Sequence, residues 1–228
     1  LDALSEAVLL QEELMALEAN YDCLAMGAVV ESKVDRHKGV MATFLVQHGR
    51  LNIGDIVLAG TTYGRVRAMM DEHGKQLSEV LPSQAVEILG LNEVPSSGEI
   101  FYVVESDKIA RDIVQYRINN NRDIESAKRS KRTIEDIFQD MGDDKQKSLS
   151  VIIKADVRGS SDAIKASLEK LTNDKVNVKI IHSGVGGIND SDISLAKASD
   201  AIILGFNVRA VSTLKETEID EVNIKYYS

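Results

Sequence analysis

The chain has 228 residues, of which 43% are hydrophobic and 28% charged, with a formal net charge of -9. This is the composition of a soluble globular protein with room for two cores, and no apolar run nears the ~20 residues that cross a bilayer. The acidic balance excludes indiscriminate nucleic-acid binding, so any RNA contact must come from local basic patches.

Residues 1–17 read as an amphipathic helix, with Leu4, Val8, Leu14 and Leu17 on one face and Glu6, Glu12 and Glu13 towards solvent. The helix has no core of its own before it and is expected to be the last helix of an upstream domain. Cys23 is the single cysteine and makes no intramolecular disulfide; it is expected as a small buried apolar residue. His37, His48, His73 and His182 are scattered without metal-ligand spacing.

From Leu24 to Glu105 the pattern is short β-branched runs bounded by Gly, Asp, Asn or Pro. About six such strands without an intervening helix predict a small closed antiparallel barrel. Asp35 to Gly39 and Asp71 to Lys75 read as hairpin loops, and Leu51 and Ile53, flanked by Gly49 and Gly54, as plugs of the barrel end. Arg65 and Arg67 flank Val66, so both guanidinium groups point outward if Val66 points inward. Together with Lys33, Arg36, Lys38 and Arg50 they read either as a basic patch or as ordinary solvated charge.

Glu105 to Met141 reads as one long helix with a thin apolar stripe of Ile109, Ile113, Tyr116, Ile124, Ala127, Ile134, Phe138 and Met141. Unbroken, it would be about 50 Å long, a strut able to hold two domains apart. Asn119, Asn120 and Asn121 predict a bend, because asparagine competes for backbone hydrogen bonds. Arg117, Arg122, Lys128, Arg129, Lys131 and Arg132 make the helix basic, either as a phosphate-contacting surface or as a solvated face.

Beyond it, strands (Leu149–Asp156, Val176–Ser183, Ala201–Phe206, Val222–Tyr227) alternate with helices (from Ser160 as N-cap to Leu171, Asp190–Ala198, about Val211–Thr217). This predicts a three-layer α/β/α unit with a mainly parallel sheet. Gly184 to Gly187 joins a strand to a helix, the place where such sheets often hold a small ligand. The loop fits neither the dinucleotide nor the P-loop spacing, and Asn189 with Asp192 looks like capping, so a structural loop is the expectation and a small-ligand or nucleotide site the alternative. No nucleophile elbow and no Cys–His pairing is visible, so no enzyme reading has residues to stand on.

Three blocks, at 30–75 (VESKVDRHKGVMATFLVQHGRLNIGDIVLAGTTYGRVRAMMDEHGK), 151–171 (VIIKADVRGSSDAIKASLEKL) and 180–209 (IIHSGVGGINDSDISLAKASDAIILGFNVR), closely resemble bacterial-type translation initiation factor two, over essentially the whole chain. The resemblance implies an α+β multidomain chain: residues 1–20 as the terminal helix of a truncated GTPase domain, 21–105 as the β-barrel of translational-GTPase domain II type, 106–147 as the helical connector and 148–228 as the α/β/α sandwich. It implies that the GTPase motifs lie upstream and the initiator-tRNA-binding domain downstream, so this piece should hold no cofactor, whereas the full-length factor would use GTP and Mg. The implied partner is small ribosomal subunit RNA, with initiator tRNA and the large subunit reached through domains outside this chain. A monomer in the bacterial cytoplasm, or in an organellar matrix or stroma, away from membranes, is expected. Expected phosphate contacts are Lys33, Arg36, Lys38, Arg65 and Arg67 on the barrel and Arg129, Lys131 and Arg132 on the connector, with hinges at Asn119, Asn120, Asn121 and Gly142.

Overall fold

The computed structural model describes residues 2–35, 37–139, 147–171, 176–211 and 222–228. Helix α1 (Asp2–Met15) leads into nine strands: β1 (Met26–Asp35), β2 (Gly39–His48), β3 (Leu51–Asn52), β4 (Ile56–Ala59), β5 (Thr62–Met70), β6 (Gln76–Leu77), β7 (Glu79–Val80), β8 (Ala85–Leu91) and β9 (Ile100–Val104). No side chain of α1 is buried; Leu4, Val8 and Leu14 are all exposed, and Leu17 lies past the helix end.

Seven of the strands form a sheet in the order β4-β9-β1-β2-β8-β5-β6, a further β4–β5 pairing closes six of them into an antiparallel barrel, and β3 pairs with β7 in a separate two-stranded sheet. Alternate side chains fill it: Val29, Phe44, Val46, Val57, Val66, Met69, Ile88 and Phe101 are almost fully buried. The Phe44 and Phe101 rings stack with centroids 4.2 Å apart. Phe101 needs Gly27 beside it, since a Cβ there would lie 2.8 Å from the Phe101 ring and inside the Leu45 carbonyl. Of the two expected plugs only Leu51 is buried; Ile53 is 41% exposed, because the turn that seats Leu51 sends the next apolar side chain outward. Cys23 is exposed rather than buried, on the segment that enters β1.

Helix α2 (Asp107–Gln139) runs 33 residues without a break at Asn119–Asn121. Its buried face is Ala110 and Val114, flanked by half-buried Ile113, Arg117 and Ile118; Ile109 and Tyr116 of the expected stripe are exposed. The sheet surface of β4, β5 and β9 admits the helix closely only where its side chains are small or β-branched.

The second unit comprises β10 (Lys147–Ala155), α3 (Arg158–Leu171), β11 (Val176–Val185), α4 (Asp190–Ser199), β12 (Ile202–Phe206) and β13 (Ile224–Tyr227). The sheet order is β11-β10-β12-β13 with every neighbouring pair parallel. Right-handed crossovers in opposite directions put α3 and α4 on opposite faces. Ile152 and Ile203 pack with Ile188, Ile193, Ala196 and Ala201 on the α4 side. Helix α3 starts at Arg158, so Ser160 lies inside the helix rather than capping it; the Ser161 amide already donates to the Val157 carbonyl at 3.3 Å. The helix expected near Val211–Thr217 and Gly142 lie outside the described residues, the former from residue 212 on.

The long helix does not keep the two units apart. Lys33 and Val157 form an isolated antiparallel bridge, and α3 packs against β1. The cause is local: β9 pairs with β1 only over Met26–Ala28, which leaves the far half of β1 without a strand on that side.

Candidate functional site

The basic residues of the barrel sit on two hairpin ends and on the outer face of β5. At the β1–β2 turn the Asp35 side chain accepts the amides of His37 at 2.8 Å and Lys38 at 2.9 Å, which holds its carboxyl below the usual range. The β5–β6 turn repeats the device, Asp71 accepting from His73 and Lys75. Gly39 and Gly74 supply the positive φ, 81° and 76°, that each tight turn requires.

These cations do not converge on one patch. Lys33 donates to Glu87 at 2.9 Å; that hydrogen bond, aided by the Glu87, Glu31 and Asp35 charges, raises its pKa, and burial opposes the rise. Its charge is therefore compensated within the barrel. Arg50 faces Glu79 at 3.3 Å and Asp22 at 3.8 Å. Val66 points inward and Arg65 and Arg67 outward, as the alternation predicts. Arg65 donates to the Gly54 carbonyl at 2.9 Å, and the Lys38 ammonium lies 4.0 Å from the Met70 sulfur. Among the described residues none of Lys38, Arg65 and Arg67 has a carboxylate within ion-pair distance. Arg36 lies outside the described residues, and Arg129, Lys131 and Arg132 fall on α2 where the side chains lie outside them.

What the sequence reading missed is the clamp that fixes α2 to the barrel. The Ser106 hydroxyl accepts the Ile109 amide at 3.3 Å at the helix start. Arg111 donates to Asp107 at 2.8 Å and to the Tyr63 hydroxyl at 3.4 Å; Arg117 reaches the Gly60 carbonyl at 2.6 Å. Together with buried Ala110 and Val114 these contacts tie about three helical turns to β4, β5 and β9, and the next residues, Asn119–Asp123, are exposed.

In the α/β unit two backbone donors of the Gly184–Ile188 stretch are already engaged. The Gly186 amide donates to Ala155 at 2.8 Å and the Ile188 amide to Arg209 at 3.2 Å. Asn189 and Asp192 close a capping box at 3.0 Å in both directions, and Lys154, buried in β10, holds the Asp192 carboxylate at 2.9 Å. Asp192 thus occupies the place at the α4 N-terminus that a bound anion would take. Lys154 was detectable as a charge set directly against the apolar run Val151–Ile153 of its strand. Asp156 and Asn207, following β10 and β12, are hydrogen-bonded across the sheet's switch point.

Comparison with known proteins divides the chain at α2. Residues 24–104 match the model of elongation factor G domain 2, and residues 123–228 that of translation-initiation factor 2. The chain is also similar to the crystal structure of GDP-bound aIF5B from Aeropyrum pernix, at 22% identity and a TM-score of 0.50, a likeness of fold. That match covers 98% of this chain and 38% of the other, so the chain spans well under half of that protein's length. The stretch between the two family matches is the part of α2 clamped to the barrel and the residues just past it. In series, then, the barrel is similar to elongation factor G domain 2, and the segment from residue 123 on, including the α/β unit, is similar to translation-initiation factor 2.

Proposed function

We propose that this chain is the non-catalytic core of a translation initiation factor of bacterial type, which docks on the small ribosomal subunit and links a GTPase domain to an initiator-tRNA-binding domain. The observation that supports it is the order of the two matched segments, a translational-GTPase barrel followed by an initiation-factor unit, with α2 clamped to the first and running into the second. In this reading GTP and Mg belong to the GTPase domain of the longer factor. The chain itself turns over no substrate, and works as a monomer in the cytoplasm.

Phosphate contacts come chiefly from Lys38, Arg65 and Arg67, whose charges are uncompensated by nearby carboxylates, and secondarily from Arg36 and from Arg129, Lys131 and Arg132. Lys33 contributes little, since Glu87 holds it. Asn119–Asn121, with Gly142 beyond, form the hinge. Co-sedimentation with small ribosomal subunits across a salt series tests this. Arg65→Ala/Arg67→Ala is expected to weaken binding and to lower the salt slope by about 2, near one per lost phosphate contact. Binding that ignores salt and survives the double substitution defeats the assignment. Interdomain distances by spin labelling, on and off the ribosome, test the hinge, and a single narrow distribution in both states disposes of it.

A further inference from the structure

The carboxyl ends of β10 and β11 form a rim beside the sheet's switch point between β10 and β12, the region in which open α/β sheets commonly take a ligand. Here that rim faces the barrel. Beyond the last β9 pairing, β1 continues as Val30–Asp35 with one edge unpaired by any strand, and Lys33 on that edge bridges to Val157, the residue just after β10. Val34 lies 3.8 Å from where a side chain at Gly186, just after β11, would begin. Along the same edge of β1, Ser97 in the loop before β9 lies 3.5 Å from the corresponding point on Gly159, in the first turn of α3.

Two glycines lie at the contact, each with ordinary van der Waals room for a Cβ. Gly186 takes φ 96°, which its turn requires, and Gly159 sits in a helix, where glycine is otherwise a poor choice. We infer that the occupant of this rim is the protein's own β1–β2 hairpin, so that the rim is an intramolecular docking site for a strand edge and not a small-molecule site. The contact joins backbone to backbone and carries little apolar burial: Val34 remains 41% exposed, and the Ser97 hydroxyl is enclosed without a hydrogen-bond partner. An interface so small and polar is separable, and the docked and released arrangements are two discrete states of one chain. It fixes the orientation of the initiation-factor unit relative to the barrel by a path far shorter than the 33 residues of α2.

The test needs no ribosome, so its failure is distinct from failure of the proposed function. In a Cys23→Ser background, Ser97→Cys/Gly159→Cys is oxidised under mild conditions and the crosslink is read by gel mobility and peptide mass. Its rate is compared with that of Ser97→Cys/Ala198→Cys, whose second site is exposed at the far end of α4. Docking predicts at least a tenfold faster crosslink for the first pair; equal rates overturn the inference. Should the first pair not fold, amide exchange at Lys33 and Val34 decides. Gly159→Ala, for which there is room, leaves it unchanged, and Gly159→Trp accelerates it at least tenfold; identical exchange in the two variants overturns the inference.

Discussion

The buried ion pair between β10 and α4 allows the sharpest test of how the α/β unit is held together. Lys154 and Asp192 have side chains only 6% exposed and are 2.9 Å apart, and the same Asp192 oxygen accepts the Asn189 amide. Asp192→Ala removes the charge partner of a buried ammonium and the capping-box acceptor of the Asn189 amide together, while Asn189 still caps the helix. Leaving one partner of a buried pair costs about 3–5 kcal/mol, and the lost capping-box bond about 1 more. Lys154→Met leaves a carboxylate that still has the Asn189 amide and the helix end beside it, so it should cost less. Lys154→Met/Asp192→Asn removes both charges while keeping the volume and an acceptor for Asn189, and should be within about 1 kcal/mol of the parent. Because the chain has two cores, a single unfolding midpoint would mix them. Native-state amide exchange at Val151–Ala155 and Ile203 isolates the α/β core, with Val46 and Val57 of the barrel as an internal reference. A loss of 3–5 kcal/mol is about 150- to 5,000-fold faster exchange. If Asp192→Ala costs under about 0.5 kcal/mol, as surface changes do, or if the single costs simply add in the double variant, the pair is not the coupled element described.

Three further outcomes follow from single contacts. Gly64→Ala should cost at least about 2 kcal/mol in urea unfolding of the barrel, because its Cβ would sit 2.6 Å from Leu91 Cα and inside the Gly90 carbonyl, whereas Gly159→Ala, with its nearest neighbour at 3.5 Å, should be neutral or up to about 1 kcal/mol stabilising. Arg117→Ala removes the hydrogen bond to Gly60 and should speed amide exchange at Val114–Ile118 by about tenfold, roughly the worth of one net hydrogen bond, while Arg122→Ala on the exposed continuation leaves it unchanged. Asp35 titrates below its ordinary 3.8 because the Lys38 and His37 amides stabilise the carboxylate; a depressed folded value means the turn's stabilisation is full above pH 3.8 and disappears as pH falls through the folded value. Carboxyl-carbon NMR of Asp35 should show that low midpoint, with Asp35→Ala loosening the turn at neutral pH.

Periodicity made the barrel and the parallel sheet legible. Arg65-Val66-Arg67 alternates by strand geometry alone, and the Asp-to-Gly hairpins name their own turns. What depends on non-local pairing was hidden. Lys33 looks like a free cation in sequence, but Glu87, 54 residues on, meets it across the sheet through β2, where Glu31 and Glu87 both face Thr43. The buried face of α2 was misread because large residues were weighted over small ones: Ile109 and Tyr116 define a plausible stripe, yet close packing on a twisted sheet selects Ala110 and Val114. Asp192 read correctly as a cap, and only the fold brings Lys154 to it.

The same geometry bears on how motion would pass along the chain. Where the clamp ends, at Ile118, the next three residues are asparagines, each about 0.5 kcal/mol poorer than alanine in a helix, and Gln115 supports Asn119 only through one side-chain hydrogen bond of 3.0 Å. Tertiary support and intrinsic propensity therefore fall away at the same place, and the segment similar to translation-initiation factor 2 begins just beyond, at Asp123. A helix transmits torque only as far as it is stiff, so the exposed Asn119–Asp123 turn of α2 is the weaker mechanical link between the units. The Lys33–Val157 contact at the sheet rim is the shorter one. While it holds, a displacement of the barrel carries the α/β unit with it directly; were it to open, the hinge proposed at Asn119–Asn121 would set how far the two can part.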